Sequence, residues 1–186
     1  MAAGATVYTF AVQLSDSDRN VYQDLELRIA RHPSETAEFM LARTLAFCLE
    51  YQDGIALTDG VAAADEPAVI ARDLTGRITA WIEVGAPTPE RLHKGSKQSP
   101  RCAVYAHRDP KPWLAQVAGE KVHRAADIPV YSFERAFMTE AAAALGRRAK
   151  LALSVTGRHV YLDVDGRQFE SAIEETRLRD PSLRSG

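Results

Sequence analysis

Between Ile78 and Val84 apolar and polar side chains alternate, with Ile78, Ala80, Ile82 and Val84 on one side and Thr79, Trp81 and Glu83 on the other, and this run constrains the chain more than any other. It predicts a half-buried strand. Leu74-Thr75-Gly76 reads as a turn before it, and Gly85 breaks the pattern after it. Thr88 and Pro89 then supply an N-cap and a proline at the first helical position, so a helix starts there. Lys94 and Gln98 fall on one face of that helix with Lys97 beside them. Strand, bend and polar helix together carry two carboxylates, Asp73 and Glu83, toward a lysine.

Alternation also marks Tyr8 to Leu14 and Val21 to Ile29 on either side of Asp16-Ser17-Asp18, which predicts an opening hairpin. Pro33 and Ser34 open a helix to about Glu50, because Leu41, Leu45, Cys48 and Leu49 recur at helical spacing. Glu38 falls inside that apolar stripe and Glu35 at its edge. Both are also where acids favour the positive end of a helix dipole. Asp53 to Glu66 reads as an irregular acidic connection before a short strand at Ala68 to Ala71. Strands at Cys102 to Tyr105 and Ile128 to Tyr131 alternate with a helix at Trp113 to Val117 and another from Ser132 to Leu145. His107 to Pro112 between them is a charged loop. Leu151 to Val155 and Val160 to Val164 flank Thr156-Gly157-Arg158, and Asp165-Gly166 adds a second hairpin signal. The expectation is one domain over residues 1–186 with a loose tail at 177–186. Its class is mixed α/β, a central mixed sheet flanked by helices, with hairpins at both ends.

The formal net charge of −2 gives no global attraction to nucleic acid or an acidic membrane, so such a partner needs a local patch. Charge is unevenly spread. Glu50 to Ala71 holds acids without lysine or arginine, whereas Arg91, Lys94, Lys97, Arg101, Arg108 and Lys111 face one acid, Asp109. Cys48 and Cys102 are too far apart in sequence to suggest a disulfide framework or thiolate metal site. With no signal-like leader or apolar run of membrane length, a cytoplasmic protein without membrane contact is expected. The five histidines lack zinc spacing, and serine-nucleophile, P-loop and dinucleotide signatures are absent.

Two carboxylates suit a hard cation such as Mg²⁺ or Mn²⁺, whose bound water can attack a phosphodiester, and a lysine can orient that water. Asp73, Glu83 and Lys94 fit this pattern, and acids around a turn also occur as plain solvated charges. The run Arg31-His32-Pro33-Ser34-Glu35-Thr36, the triplet Asp65-Glu66-Pro67, the strand end Trp81-Ile82-Glu83-Val84-Gly85 and the Arg91-Leu92-His93-Lys94 helix with Gln98 resemble the YaeQ family of small bacterial proteins. The likeness runs over nearly the whole chain. It implies a restriction-endonuclease-like core, a variant of the PD-(D/E)XK nuclease superfamily, in which Asp, Glu and Lys surround a divalent metal.

Carried over, the resemblance makes Asp73 the first acid, Glu83 the second, and Glu38 or Glu35 an extra glutamate, with Asp73, Glu83 and Glu38 as metal ligands. Arg72 replaces the proline of that pattern and Gly85 replaces its lysine. The lysine's role passes to Lys94 with Gln98, or to Lys97. Two functions follow: a metal-dependent nuclease, or a non-catalytic fold that binds nucleic acid or protein through the Arg91 to Lys111 surface, with Arg91, Lys97 and Arg101 as binding residues.

Overall fold

The structure, a computed structural model, describes residues 4–60 and 64–179. In chain order its elements are β1 (Thr6–Asp16), β2 (Val21–Arg31), α1 (Ala37–Leu49), β3 (Ile55–Leu57), β4 (Val69–Arg72), β5 (Ile78–Val84), α2 (Pro89–Gln98) and β6 (Arg101–Tyr105). There follow α3 (Lys111–Val117), β7 (Pro129–Ser132), α4 (Arg135–Ala144), β8 (Arg148–Thr156), β9 (His159–Val164), β10 (Arg167–Ala172) and β11 (Glu174–Arg177).

Every residue of α1 from Met40 to Leu49 is buried, so this helix has no solvent face along most of its length. Such a helix lies inside a core. Around it are a five-stranded sheet of order β10-β9-β8-β1-β2 and a six-stranded sheet of order β11-β7-β6-β5-β4-β3. β1 pairs antiparallel with β2 and parallel with β8, bringing Phe10 opposite Ala149 and Leu14 opposite Leu153. β5, β6 and β7 run parallel. Ile173 alone separates β10 from β11, so the chain passes directly from the edge of one sheet to the edge of the other. At the opposite edges Arg43 of α1 donates to the Ala30 carbonyl of β2 at 3.2 Å and to the Thr58 carbonyl beyond β3 at 2.7 Å. The sheets thereby close around α1 as a near-barrel.

This overturns the expected restriction-endonuclease-like core with terminal hairpins. The two hairpins are fused by the parallel β1–β8 ladder into a sheet of their own, which forms half the wall. Alternation states which face of a strand is buried and leaves its distant neighbour open. Smaller differences have local causes. α1 is capped by Thr36, whose hydroxyl accepts from the Phe39 amide at 3.1 Å, and Ser34 stays outside the helix. The acidic connection contains β3. β11 and the buried Leu178 occupy the start of the expected tail, and 180–186 lie outside the described residues.

β5 sets the two faces of the larger sheet. Ala80, Ile82 and Val84 point into the core with α1, while Trp81 joins Leu92, Val104, Trp113 and Val117 beneath α2 and α3. α2 has few large apolar residues, yet it packs tightly because Gly95 lies on the Trp81 indole, where a methyl group would overlap the ring. Among the described residues, no helix is long and apolar enough to cross a membrane.

Candidate functional site

The expected acid cluster is distributed over separate places. Asp73 is exposed in the β4–β5 turn, and its Oδ1 accepts from the Thr75 amide at 2.9 Å, the Thr75 hydroxyl at 2.6 Å and the Arg77 amide at 3.0 Å. The Thr75 hydroxyl is the main reason its carboxyl is held below its ordinary value. Glu83 is buried near the other end of β5, and at the usual rise it lies about 16 Å along the strand from Ile78. Its Oε1 accepts from Trp81 Nε1 and Arg91 Nε, each at 3.0 Å. Burial nevertheless pushes the Glu83 carboxyl upward.

Arg91 also donates to the carbonyls of Ala64 and Glu66, and Lys94 Nζ donates to the Asp65 carbonyl at 3.3 Å while sitting 5.7 Å from the Trp81 ring centre. These cations fasten α2 to the 64–66 segment. Glu83, Arg91 and Lys94 are thus brought together, whereas Glu38 belongs to α1 on the opposite side of the sheet. Glu35 is paired with Arg43 at 3.0 Å, both side chains fully buried, and Arg101 is paired with Glu50 at 2.7 Å. Lys97 and Gln98 are exposed on α2. Among the described residues, no group of three or more His, Cys, Asp or Glu is placed to hold a metal ion.

Gly85, where the nuclease pattern has its lysine, has φ +92°. A Cβ there would stand 2.8 Å from the Phe39 ring. Both the left-handed backbone and the aromatic neighbour oppose a side chain.

A cleft of about 900 Å³ opens elsewhere, beyond the carboxyl ends of β6 and β7. From β6 the chain goes to α3 on the outer face, and from β7 to α4 on the core face. Where successive connections leave a parallel sheet on opposite sides, a crevice opens at the strand ends. Leu114, Phe133 and Met138 give it apolar lining, while Glu38, Arg108, Lys111 and Arg135 give it charge and His107 a titratable ring. These five side chains have no hydrogen-bonded or ion-paired partner among the described residues. His107 is half-buried, edge-on to Phe39 at 5.4 Å. Burial, then Arg108, depresses its pKa against the opposing pull of Glu38, which leaves the ring neutral at neutral pH.

Residues 1–173 match the family model described as YaeQ protein. The chain belongs to the YaeQ family. It is 30% identical over 184 residues to YaeQ of Escherichia coli (strain K12), covering 98% of this chain and 100% of that protein. A further relative, YaeQ of Salmonella typhi, is 39% identical over 107 residues, 58% of this chain and 59% of that protein. The crystal structure of YaeQ from Pseudomonas syringae superposes with a TM-score of 0.84 at 29% identity, covering 94% of this chain and 97% of that one. YaeQ from Xanthomonas axonopodis pv. citri gives 0.83 at 28% identity, covering 92% and 97%. The likeness is therefore to YaeQ proteins, and it lends no support to kinship with PD-(D/E)XK nucleases.

Of the crevice residues, sequence reasoning singled out Glu38 as a site residue and assigned Arg108 and Lys111 to a basic surface. Arg135, Phe133 and Met138 were not singled out for function. The signal that finds them is topological: they follow the strand whose crossover changes face.

Proposed function

We propose that this YaeQ-family chain is a binding module whose ligand is a polypeptide segment seated in the crevice at the ends of β6 and β7. One observation carries this reading. The crevice holds charged groups of both signs without partners among the described residues, while Glu35, Glu50 and Glu83 are each engaged by an arginine. Unpartnered charge that is exposed, as at Arg108, Lys111 and Arg135, or half-buried, as at Glu38, is available to a ligand, and partnered buried charge is not.

The mixture of signs favours a peptide. Arg108, Lys111 and Arg135 are interspersed with Glu38, Asp109 and Glu174, whereas a nucleic-acid backbone calls for cations without neighbouring carboxylates. Buried Phe133 and Met138 suit an apolar side chain, and about 900 Å³ lies within the range of ligand clefts.

The test is to select a peptide from a random phage-displayed library against the full chain and map it by amide chemical shifts. Shifts should centre on Glu38, His107 and Arg135, and an Arg108→Glu, Arg135→Glu variant should bind at least about tenfold more weakly. The same protein is incubated with single- and double-stranded RNA and DNA, with Mg²⁺, Mn²⁺ or chelator. Selection of no peptide, steeply salt-dependent nucleic-acid binding, or metal-dependent cleavage abolished by Asp73→Ala or Glu83→Gln would each overturn the reading.

A further inference from the structure

β10 and β11 form one extended run whose hydrogen-bonded neighbour changes sides at Ile173. Side chains alternate through the junction without interruption, since Phe169 and Ile173 pack on the core and Ser171 between them is buried. The backbone N–H and C=O groups therefore alternate between the two edges as well. The Ile173 amide donates to the Arg158 carbonyl at 2.8 Å, so Ile173, Ser171, Phe169 and Arg167 turn their backbone groups toward β9. The Leu178 amide donates to the Ile128 carbonyl at 2.9 Å, so Leu178, Thr176 and Glu174 turn theirs the other way, toward β7.

β7 ends at Ser132, opposite Glu174. Beyond that point the edge of β10 that carries the backbone groups of Gln168, Glu170 and Ala172 has no strand beside it among the described residues. The Glu134 amide still donates to the Ser171 hydroxyl at 2.8 Å, and that hydroxyl donates to the Ala172 carbonyl at 2.7 Å, which occupies this acceptor as the chain turns into α4. The N–H and C=O of Gln168 and of Glu170 keep no partner among the described residues, and both residues are exposed. β10 contains neither a proline nor a residue of positive φ, so the edge is regular, and a regular open edge is a template for another strand. The edges of β2 and β3 differ, being joined through Arg43.

The crevice opens where β7 stops, with Ser132, Phe133 and Glu174 in its lining. A segment seated there and lying in line with β7 runs along the open edge of β10.

We propose that the crevice takes its polypeptide ligand as an added strand, in line with β7, which exchanges main-chain hydrogen bonds with Gln168 and Glu170. The proposal rests on the peptide reading above and adds how the peptide is held. Main-chain pairing supplies affinity for any extended segment, and every second side chain of the ligand faces the side on which Phe133, Met138 and Phe169 lie, which supplies selectivity for apolar residues at alternate positions.

The phage-selected peptide is added to the full chain at saturation and amide hydrogen exchange is followed by NMR. Exchange at Gln168 and Glu170 should slow by at least about tenfold, because their amides pass from solvent into a ladder. A series of peptides, each with a single N-methyl group, should bind about tenfold more weakly at alternate positions, where the methyl removes a main-chain donor, and within about twofold of the parent at the positions between. Chemical shifts at Glu38, His107 and Arg135 with unchanged exchange at Gln168 and Glu170, or N-methyl losses without a period of two, would overturn the added strand and leave the peptide reading standing. Selection of no peptide would overturn both.

Discussion

The two ends of α1 use the same kinds of side chain to opposite effect. Glu38 in the first turn is half-buried beside His107 and has no partner among the described residues. Glu50 at the other end, about 18 Å along the helix at about 1.5 Å per residue, is enclosed by Arg101 and Tyr105. A carboxylate with every oxygen engaged belongs to the architecture, because removing it strands the donors that met it. A carboxylate held open at a cleft contributes little to folding and is left for recognition. The two ends therefore differ less in composition than in what remains unsatisfied once the chain has folded.

Substituting each end in turn gives the largest contrast. Glu50→Ala leaves the Tyr105 hydroxyl and much of the Arg101 guanidinium without their acceptor, and should cost about 2–4 kcal/mol in urea unfolding, less than for a fully buried pair because Arg101 is 40% exposed. Glu38→Ala should cost under about 1 kcal/mol, the size of a helix-dipole interaction, while weakening any peptide selected for the crevice. Equal losses at the two ends would break the comparison.

Gly85→Lys introduces the residue that the expected nuclease pattern would place after its second acid. It should destabilise the chain by about 2–3 kcal/mol, since it forces a Cβ against Phe39 at φ +92°. A stable variant that acquires Mn²⁺-dependent cleavage of DNA would mean that the chemistry, and not the backbone, had decided this position.

Much of the local structure was legible. Thr88 caps α2 with Pro89 behind it, and β5 has the alternation read from Ile78 to Val84. Glu83 does share a face with Trp81, as period two requires. What the alternation hid was that the more polar face is covered too. Leu92 is the one large apolar residue of α2, yet Gly95 and Ser96 are buried with it, because small residues bury backbone and bring the helix close to Trp81. Asp73 shows the converse limit. Its spacing from Glu83 drew attention, whereas the neighbouring Thr75 already offered the hydrogen bonds of an Asx-type turn. The candidate site was harder still, because the crevice is created by a change of crossover face between β6 and β7 and by the closing of a sheet built from residues near both ends of the chain. Neither leaves a mark on local periodicity.

The smallest effect concerns His107 and tests whether the amino end of α1 is open in solution. Burial and Arg108 hold its pKa below the ordinary 6.5, with Glu38 pulling the other way. A histidine that is harder to protonate when folded favours the unfolded chain once protons bind. Its contribution to stability is therefore fully present above the unfolded value and is lost as pH falls through the depressed folded value. Wild type should lose stability relative to His107→Gln as pH falls below about 6.5, the ordinary histidine value, measured as the difference between the two proteins so that other titrating groups cancel. Glu38→Gln should lower the His107 midpoint further in an imidazole NMR titration, because it removes a nearby charge that favours the imidazolium. If the midpoint does not move, Glu38 is directed away from His107, and the amino end of α1 does not present the two groups together to a ligand.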